Sequence, residues 1–335
     1  MYDIVIIGAG TAGMSAAIYG LRAGKSVLDL EEKTYGGQII VTPEIENYPA
    51  IQKISGYEFA QALYEQAKSL GMEIEYGKVT KIVKAEAGVR ISGNASAQEL
   101  EAASMENSFW DSTKQAGFRI QAGEKAYFGR SVILATGAKN RPLDVDREQE
   151  FIGQGISYCA TCDGRFYKDK ITAVVGGGNT ALEDALFLSN YCRQVYLIHR
   201  RDTFRGEERK LAALKQRENV VLITNTIVTA LLGEEYLEGV LLWDRQAKEE
   251  KKLAVSGLFV AIGQMPDNAS FRDLVELDEK GYLLAGEDCK TNCPGVFTAG
   301  DCRTKAVRQL TTAAADGAVA ALAACEFVDS NSQAR

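Results

Sequence analysis

The sequence predicts an α/β protein built from two nucleotide-binding domains, the second of them inserted into the first. Two glycine-rich segments, 8–13 and 176–181, each follow a short apolar run and precede a segment of helix-forming residues. A second apolar run then ends at the same distance, since 31 − 8 = 23 and 199 − 176 = 23. Two strand–turn–helix–strand units of equal spacing indicate two Rossmann-like domains, which we expect to be of the three-layer ββα type.

The elements of the two units are predicted from their hydrophobic pattern. The first unit is a strand over 4–7, a turn over 8–13, a helix over 14–23 and a strand over 27–31. The second is a strand over 172–175, a turn over 176–181, a helix over 182–190 and a strand over 195–198.

The second unit is bracketed by two segments that contain proline or glycine, 140–143 and 263–267, each just after an apolar strand. Such positions are typical of hinges. We therefore expect a first domain made of 1–141 and 266–335 and an inserted domain over 142–265. Residues 93–117 are polar and alanine-rich, and they are predicted to form a surface insertion without chemistry of its own.

Composition excludes several classes of function. The 335 residues carry a formal net charge of −7, and nonspecific nucleic-acid binding needs clustered lysine and arginine, so nucleic acid is not expected as a partner. No basic leader precedes the first predicted strand, and no apolar run approaches the ~20 residues that a spanning helix needs. We therefore expect no membrane association and a cytoplasmic location.

The first glycine segment is predicted to bind the pyrophosphate of a dinucleotide. Gly8, Gly10 and Gly13 let backbone N–H groups approach phosphates at the start of a helix. Glu31, at the end of the next strand, can accept a hydrogen bond from a ribose hydroxyl. Asp29 alternates onto the same strand face as Glu31, and local access to solvent is the one explanation that the pattern offers for it.

The second unit lacks the acidic residue, and His199, Arg200 and Arg201 stand in its place, with Arg205 following. A carboxylate would repel the 2′-phosphate of NADP(H), whereas guanidinium groups can bind it. The sequence therefore predicts NADP(H) rather than NAD(H). A solvated basic turn is the alternative, because runs of charge usually lie at the surface.

Cys159 and Cys162 stand three positions apart just ahead of the second glycine segment. Such a pair can close into a disulfide and reopen as thiolates, which predicts electron transfer with a bound dinucleotide. Half of a zinc site is one alternative and incidental structural thiols another. Because only Cys289 and Cys293 come near ligand spacing, no metal is predicted.

The chain has a single histidine, His199, so the acid that serves the thiols must be another group unless His199 supplies it. Asp163 is adjacent to Cys162 and is the candidate. The remaining cysteines are predicted to be small packing residues, namely Cys192, Cys289, Cys293, Cys302 and Cys325.

Together these features resemble the low-molecular-weight thioredoxin reductases of the bacterial type, class II members of the pyridine nucleotide-disulfide oxidoreductases. The resemblance runs from Tyr2 to about Phe327, leaving out 93–117. Besides the motifs above, it rests on segments 36–38, 46–49, 135–138, 257–263, 300–301 and 308–309. Two departures from the family pattern are modest. Thr11 replaces the commoner proline of the first glycine segment, and Ala50 stands where a glycine often follows the Tyr-Pro pair.

The resemblance implies FAD in the first domain and NADPH in the second. FAD would be held by Gly8, Gly10, Thr11, Ala12, Gly13, Glu31, Gly36, Gly37, Gln38, Asn47, Thr136, Gly137, Asp301, Arg308 and Gln309. NADPH would be held by Gly176, Gly178, Asn179, Thr180, Ala181, His199, Arg200, Arg201, Arg205, Ile262 and Gly263.

The resemblance also implies a route for electrons, from NADPH to FAD, to the Cys159–Cys162 disulfide and finally to thioredoxin. Cys162 corresponds to the thiol that faces the flavin, Cys159 to the thiol that attacks the protein substrate, and Asp163 to the acid. The inserted domain would rotate on its hinges, and the enzyme would be a homodimer. The four residues after the motif either dock thioredoxin or merely pack their loop: Arg165, Phe166, Tyr167 and Lys168.

Three rival functions share parts of this pattern. A peroxiredoxin or a glutaredoxin-like protein could replace thioredoxin as partner, although the related alkyl hydroperoxide reductase flavoproteins usually carry an extra N-terminal module. A redox-sensing binding protein, or a flavin-dependent dithiol oxidase, would have little use for the arginines of 199–205. The intact basic segment therefore favours an enzyme, an NADPH-dependent disulfide reductase.

Overall fold

The computed structural model describes residues 1–85 and 116–333, which form two compact units. The first unit comprises Met1–Thr42, Tyr48–Lys139 and Met265–Arg335, and the second comprises Pro43–Asn47 and Asn140–Gln264. Most of the predicted insertion over 93–117 lies outside the described residues. Its last residue, Gly117, belongs to a strand rather than to an insertion.

The strands of the described chain, in order, are β1 (Tyr2–Ile7), β2 (Val27–Glu31), β3 (Glu73–Tyr76), β4 (Val79–Ala85), β5 (Gly117–Ala122), β6 (Lys125–Leu134), β7 (Ala138–Asn140), β8 (Ile156–Ser157), β9 (Ile171–Gly176), β10 (Gln194–Ile198), β11 (Val220–Ile223), β12 (Thr226–Leu232), β13 (Gly239–Asp244), β14 (Glu249–Ala254), β15 (Gly257–Ala261), β16 (Gln264–Pro266) and β17 (Val296–Thr298). The α-helices are α1 (Thr11–Arg22), α2 (Gly56–Ser69), α3 (Glu148–Phe151), α4 (Ala160–Asp163), α5 (Asn179–Leu188), α6 (Glu208–Lys215) and α7 (Leu310–Gln333). Short 3₁₀ helices cover Gly37–Val41, Gly164–Tyr167 and Ala269–Phe271.

The first unit is built on a seven-stranded sheet in which β3, β2, β1, β6 and β17 run parallel. Strands β4 and β5 continue it antiparallel along the first half of β6. One face of the sheet packs on α1 and α7 through small residues such as Ala16 and Ala320. The other face packs on β4, β5 and Phe271. Both faces are covered, as the near-continuous apolar run of β1 predicts.

The second unit has the same three layers. Its parallel sheet has the order β11-β10-β9-β15-β8, and the antiparallel sheet β12-β13-β14 is separate from it. On β9, Val174 points into the core shared with α5, whereas Ala173 points into the core shared with β12 and β13. The predicted α/β fold class, with helices on one face and antiparallel strands on the other, is confirmed.

Helices α1 and α5 begin earlier than predicted, at Thr11 and Asn179 rather than at 14 and 182. Gly10 and Gly178 occupy the N-cap positions with extended backbone, so the helix starts inside each glycine segment. For α1 the prediction was wrong because glycine has a low helix propensity, whereas here Gly13 is needed in the first turn for close packing. For α5 the added residues are Asn179, Thr180 and Ala181, which the prediction had assigned to the turn.

The two strands that connect the units, β7 and β16, pair with each other as a short ribbon. Near this ribbon the backbone N–H of Arg141 donates to the carbonyl of Gly263 over 3.0 Å, and Gln264 donates to Asn140 over 3.0 Å. These contacts lie in the two segments that the sequence predicts to be hinges.

Helix α7 corrects the expectation that no apolar run is long enough to span a membrane. Within the described residues, Leu310–Asn331 has sufficient length and a mean hydropathy of 1.3, and 44% of its apolar window is buried. Ala320, Ala321 and Ala324 lie in the core of the first unit. Part of the helix therefore packs in the core of the first unit, and one helix of this kind is weak evidence of a membrane span.

Asp29 contradicts the expectation of access to solvent. Its side chain is fully buried in the middle of β2, and neither carboxyl oxygen has a hydrogen-bond partner among the described residues. Its register partners are the apolar residues Ile6 and Ile74. Burial, followed by the nearby charge of Glu31, raises the pKa of Asp29 well above its ordinary value.

We predict that Asp29→Leu stabilises the protein, most of all at alkaline pH. Because the pKa of Asp29 is raised in the folded state, the stability present below the unfolded pKa is lost as pH rises through the folded pKa. Removing a buried polar group without a partner should add about 1–3 kcal/mol to the free energy of unfolding. Urea unfolding at about pH 5 and about pH 8 measures the free energy of unfolding of both proteins and its dependence on pH.

The matched control is Asp273→Leu, since Asp273 is exposed in the same unit. Its unfolding free energy should follow that of the unaltered protein at both pH values. If the free energy of unfolding depended on pH in the same way after Asp29→Leu, the raised pKa of Asp29 would be contradicted.

Candidate functional site

The first candidate site surrounds the start of α1. A Cβ on Gly13 would lie 1.9 Å from the carbonyl oxygen of Gly8, and a Cβ on Gly8 would lie 2.6 Å from that of Ala135. At Gly10, by contrast, nothing lies within 4 Å of the place where a Cβ would be. The helix is therefore packed tightly onto the sheet, while the backbone of Gly10 is left open to a ligand.

Three further segments predicted to bind FAD meet this helix start. The N–H of Gly36 donates to the carbonyl of Ala9 over 2.7 Å. Gln38 donates to the carbonyl of Ala138. A Cβ on Gly300 would lie 2.9 Å from that of Ala12. The structure thus brings 8–13, 36–38, 135–138 and 300 into one cradle.

Glu31 is fixed by two backbone donors. Its Oε2 accepts from the N–H of Ala9 over 2.8 Å, and its Oε1 accepts from the N–H of Lys33 over 2.9 Å. A carboxylate has about four acceptor positions. Glu31 can therefore still accept from a ribose hydroxyl, as the sequence predicts.

In the 8–13 and 300–301 segments, two buried polar atoms lack partners among the described residues, the Oγ1 of Thr11 and the Oδ1 of Asp301. Burial raises the pKa of Asp301, against the opposing charges of Lys305 and Arg308. Buried polar groups are normally hydrogen-bonded. The hydroxyl and phosphate groups of FAD are of the right chemistry to supply the missing partners, so these residues fit that cofactor.

Three other predicted FAD residues have different surroundings. The hydroxyl of Thr136 donates to Asn268 over 2.8 Å, so it is already engaged. Arg308 donates to the carbonyl of Lys305 over 3.1 Å and lies over the ring of Tyr282. Asn47 belongs to the second compact unit, and its assignment to FAD stays a prediction.

A buried ionic network, which the sequence did not reveal, supports the 300–301 turn. Asp316 accepts from Arg303 in a bidentate pair of 2.8 and 2.9 Å, from Lys305 over 2.8 Å and from the N–H of Gly300 over 3.0 Å. Arg303 is only 1% exposed. Burial alone would raise the pKa of Asp316, but its two cationic partners outweigh it and lower that pKa.

The second candidate site lies at the start of α5. A Cβ on Gly176 would meet the carbonyl oxygen of Ala261 at 2.4 Å, whereas Gly178 again has open space around it. The amide of Asn179 exchanges hydrogen bonds with Glu207, accepting from its N–H over 2.7 Å. The backbone N–H of Arg205 donates to the carbonyl of Gly177 over 2.7 Å. The glycine segment 176–181 and the basic segment 199–205 are thus joined directly by hydrogen bonds.

Three arginines of this cradle are exposed, namely Arg200, Arg201 and Arg205. Within residues 1–85 and 116–333, their guanidinium groups make no hydrogen bond or ion pair. An unpaired cluster of guanidinium groups beside a glycine turn is chemically suited to a phosphate dianion. The residues present therefore fit NADPH.

His199 is buried beneath the glycine turn and is not an exposed ligand. Its ring stacks on Phe204, with 5.1 Å between ring centroids, and a Cβ on Gly177 would lie 2.1 Å from its Cε1. Burial, and then the charges of Arg205 and its neighbours, lower the pKa of His199. The imidazole is neutral at physiological pH and supports the backbone of the cradle.

The redox motif is closed: Cys159 and Cys162 form a disulfide. The backbone N–H of Cys162 donates to the Sγ of Cys159 over 3.2 Å. This contact would stabilise a thiolate on Cys159 after reduction. The other five cysteines are buried thiols, and no group of three or more metal-ligating side chains occurs within the described residues.

Asp163 is mostly buried, and burial raises its pKa while a hydrogen bond from Ser157 lowers it. The hydroxyl of Ser157 donates to Oδ2 of Asp163 over 2.6 Å, whereas Oδ1 is buried without a partner in the described chain. The motif gave no signal for Ser157, because a serine two positions before a cysteine has no spacing rule attached to it.

The segment after the motif divides between the two roles that the sequence left open. Tyr167 packs edge-on against Phe259, with 5.2 Å between ring centroids. Arg165, Phe166 and Lys168 are exposed. Tyr167 therefore packs its loop, whereas Arg165, Phe166 and Lys168 are accessible to a protein partner.

Comparisons with known proteins agree with this arrangement. A sequence profile of the pyridine nucleotide-disulphide oxidoreductase family matches residues 2–317. The thioredoxin reductase of Treponema pallidum (strain Nichols) is 38% identical, covering 98% of this chain and 97% of that relative. The thioredoxin reductase of Bacillus subtilis (strain 168) is 35% identical over 98% and 95%. The crystal structure of thioredoxin reductase from Streptococcus pyogenes MGAS5005 matches with a TM-score of 0.85 and 33% identity, over 98% of this chain and 99% of that one.

We predict that Gly177→Ala destabilises the second unit, because its methyl group would collide with the His199 ring at 2.1 Å. Overpacking of this kind typically costs about 1–3 kcal/mol. Thermal unfolding followed by far-UV circular dichroism measures the loss. Gly178→Ala is the control, since nothing lies within 4 Å of its Cβ position, and it should leave the unfolding temperature unchanged. Equal unfolding temperatures for the two variants would contradict the packing argument.

Proposed function

Because the chain belongs to the pyridine nucleotide-disulphide oxidoreductase family, we propose that it transfers electrons from NADPH to the disulfide of thioredoxin. The observation that carries this proposal is the position of the closed Cys159–Cys162 disulfide. It lies in the same compact unit as a glycine cradle lined with unpaired arginines.

The broader predictions are confirmed by the family and by near full-length similarity to thioredoxin reductases. The resemblance to bacterial-type thioredoxin reductases holds, and the chain is an NADPH-dependent flavoprotein disulfide reductase that uses FAD and NADPH. The redox-sensing binding protein and the dithiol oxidase are not favoured.

Bound NADPH and FAD supply hydride and two-electron chemistry, and the residues of the motif complete the transfer to a disulfide. Reduction of the Cys159–Cys162 disulfide by two electrons leaves two thiolates, of which Asp163 protonates one. The Cys159 thiolate, stabilised by the N–H of Cys162, attacks the thioredoxin disulfide and releases one thioredoxin thiolate. Cys162 returns its proton to the Asp163 carboxylate and attacks the Sγ of Cys159, which re-forms the disulfide and releases the second thiolate.

Thioredoxin is the proposed partner because the relatives named above act on it, as their names state. Arg165, Phe166 and Lys168 are exposed beside the motif, and a cationic and aromatic surface complements an acidic partner. A peroxiredoxin or a glutaredoxin-like protein is the alternative partner, and it would use the same thiols.

A homodimer and a cytoplasmic location are further parts of the proposal. Tyr19 of α1 and Val319 and Leu322 of α7 are exposed apolar residues on two helices that pack together. Such a surface is suited to association between copies of the chain. We also retain the proposed rotation of the inserted unit about the hinge segments, since the thiols and the basic cradle share one unit.

We predict that the anaerobic holoenzyme consumes NADPH catalytically only when oxidised thioredoxin is present. Flavin absorbance and NADPH consumption are followed together. Cys159→Ser should abolish thioredoxin reduction while NADPH still bleaches the flavin, because the cradles are intact and the attacking thiol is gone. Cys192→Ser, which alters a buried thiol of the same unit, is the control.

Each other outcome would be decisive in that assay. Flavin bleaching without turnover would keep the NADPH-dependent reductase and replace thioredoxin with another disulfide partner. No bleaching would contradict NADPH as the donor.

We predict that the double variant Arg200→Ala with Arg201→Ala raises the KM for NADPH by about 10- to 100-fold with little change in kcat, since the charge-assisted hydrogen bonds of two exposed arginines are together worth about 1.5–3 kcal/mol. The KM for NADH should not change. Steady-state kinetics with both nucleotides measures this, and Arg217→Ala, an exposed arginine of the same unit, is the control. Undiminished preference for NADPH would exclude these arginines as the 2′-phosphate site.

A further inference from the structure

The hydroxyl of Ser157 joins the two halves of the redox motif. Ser157 is 4% exposed at the end of β8, whose register partner is β15. Its Oγ accepts from the backbone N–H of Cys159 over 3.0 Å and donates to Oδ2 of Asp163 over 2.6 Å. One side chain thus contacts both the attacking cysteine and the acid.

A hydroxyl has one proton to donate, and two acceptors compete for it. The carbonyl oxygen of Cys159 lies 3.3 Å from the Oγ of Ser157, whereas Oδ2 of Asp163 lies at 2.6 Å. Hydrogen bonds to a carboxylate are shorter and stronger than bonds to a neutral carbonyl. The proton of Ser157 therefore goes to Asp163, and the carboxyl group is held with Oδ2 as a permanent acceptor.

The two oxygens of Asp163 are consequently not equivalent. Because Oδ2 already accepts a proton from Ser157, the acidic proton of the protonated carboxyl belongs on Oδ1. That oxygen is buried and has no partner among the described residues. Proton transfer from Oδ1 to a thiolate sulfur leaves the carboxylate, whose negative charge the Ser157 hydroxyl then stabilises.

We propose that Ser157 is a positioning residue of the disulfide-reduction step: it orients Asp163 so that Oδ1 carries the transferable proton. This inference rests on the proposed role of Asp163 as the acid. Ser157 does not touch a reacting sulfur, and it acts through Asp163.

The other ionisable groups around Asp163 do not orient its carboxyl group. Burial, and then the charge of Asp163, raise the pKa of Tyr167 to about 12, so Tyr167 stays neutral near physiological pH. Helix α5, which packs on α4, contributes Phe187 and Leu188 beside Gly164. The two acidic residues of α5 are accounted for elsewhere. Glu183 pairs with Lys210, and the pKa of Asp184, about 7, reflects its burial and then Glu183.

The test compares Ser157→Ala with Ser157→Thr, which keeps the hydroxyl, and with Ser189→Ala. Ser189 is a buried serine of the same unit whose hydroxyl donates to the carbonyl of Leu186 over 2.7 Å. The first readout is the titration of Asp163 in the oxidised holoenzyme, taken from infrared carboxyl difference spectra against Asp163→Asn. The hydrogen bond from Ser157 lowers the pKa of Asp163, so its loss should move the titration to higher pH.

The second readout is the rate at which NADPH reduces the Cys159–Cys162 disulfide, counted as thiols trapped by rapid alkylation. We expect Ser157→Ala to slow this step by about tenfold, part of the 10²–10⁴-fold that a general acid contributes. Ser157→Thr should restore rate and titration, and Ser189→Ala should alter neither. In the Asp163→Asn background Ser157→Ala should add no further loss, because both changes remove the same function.

An unshifted titration in Ser157→Ala, or a rate loss that multiplies with that of Asp163→Asn, would overturn the proposal. The role of Asp163 fails separately. If Asp163→Asn reduced the disulfide at the unaltered rate, the acid would be another group, and the rate effect assigned to Ser157 would fall with it. In that case a shift in the titration of Asp163 in Ser157→Ala would show that Ser157 hydrogen-bonds to Asp163, but not that the bond affects the reaction.

Discussion

Both nucleotide cradles depend on one constraint, an approach of helix to strand so close that no methyl group fits between them. The Cβ position of Gly13 in α1 falls 1.9 Å from the backbone oxygen of Gly8. That of Gly176 on β9 falls 2.6 Å from the Cβ of Ala181 in α5 and 2.4 Å from the backbone oxygen of Ala261 on β15. These atoms cannot move aside as a flexible side chain could. The tight packing brings the first-turn N–H groups of α1 and α5 to the carboxyl ends of the sheets, where Gly10 and Gly178 leave the backbone open. The rest of each site is arranged around this opening.

The two cradles share their backbone and differ in charge. In the first unit Glu31 is held by two N–H groups and lies at the end of β2, so it suits hydroxyl donors. In the second unit the corresponding position is occupied by His199, whose ring fills the space beneath Gly177, and by arginines that point outward without partners among the described residues. This difference supports the proposed binding of a ribose in one unit and of a 2′-phosphate in the other, and it follows from a few side chains after the second strand.

The sequence predicted the fold class and the backbone of both cradles because glycine spacing and hydrophobic period are local signals. It misplaced the starts of α1 and α5, and for α1 the reason is that tertiary packing overrides the low helix propensity of Gly13. It could not show that Asp29 is fully buried, because strand alternation does not reveal which neighbours cover a face. Contacts between distant residues were equally hidden. The Asp316–Arg303 pair and the Thr136–Asn268 bond join positions that no spacing rule connects. Asn47 was assigned by resemblance alone, and the structure groups it with the second unit.

A chain with one histidine must move protons at its thiols by other means. That histidine lies under the glycine turn as a packing residue, and burial, followed by the charges of the nearby arginines, lowers its pKa. A carboxyl group can serve as an acid near neutral pH only if its surroundings oppose ionisation, and burial provides this at Asp163. Burial without any hydrogen bond would leave the carboxylate formed after proton transfer unstabilised. A hydrogen bond donated by the Ser157 hydroxyl to one oxygen stabilises the charged form, while the other oxygen is buried without a partner among the described residues. In the proposed mechanism the acid is thus tuned by the balance between burial and one hydrogen bond, and a nearby histidine is not required.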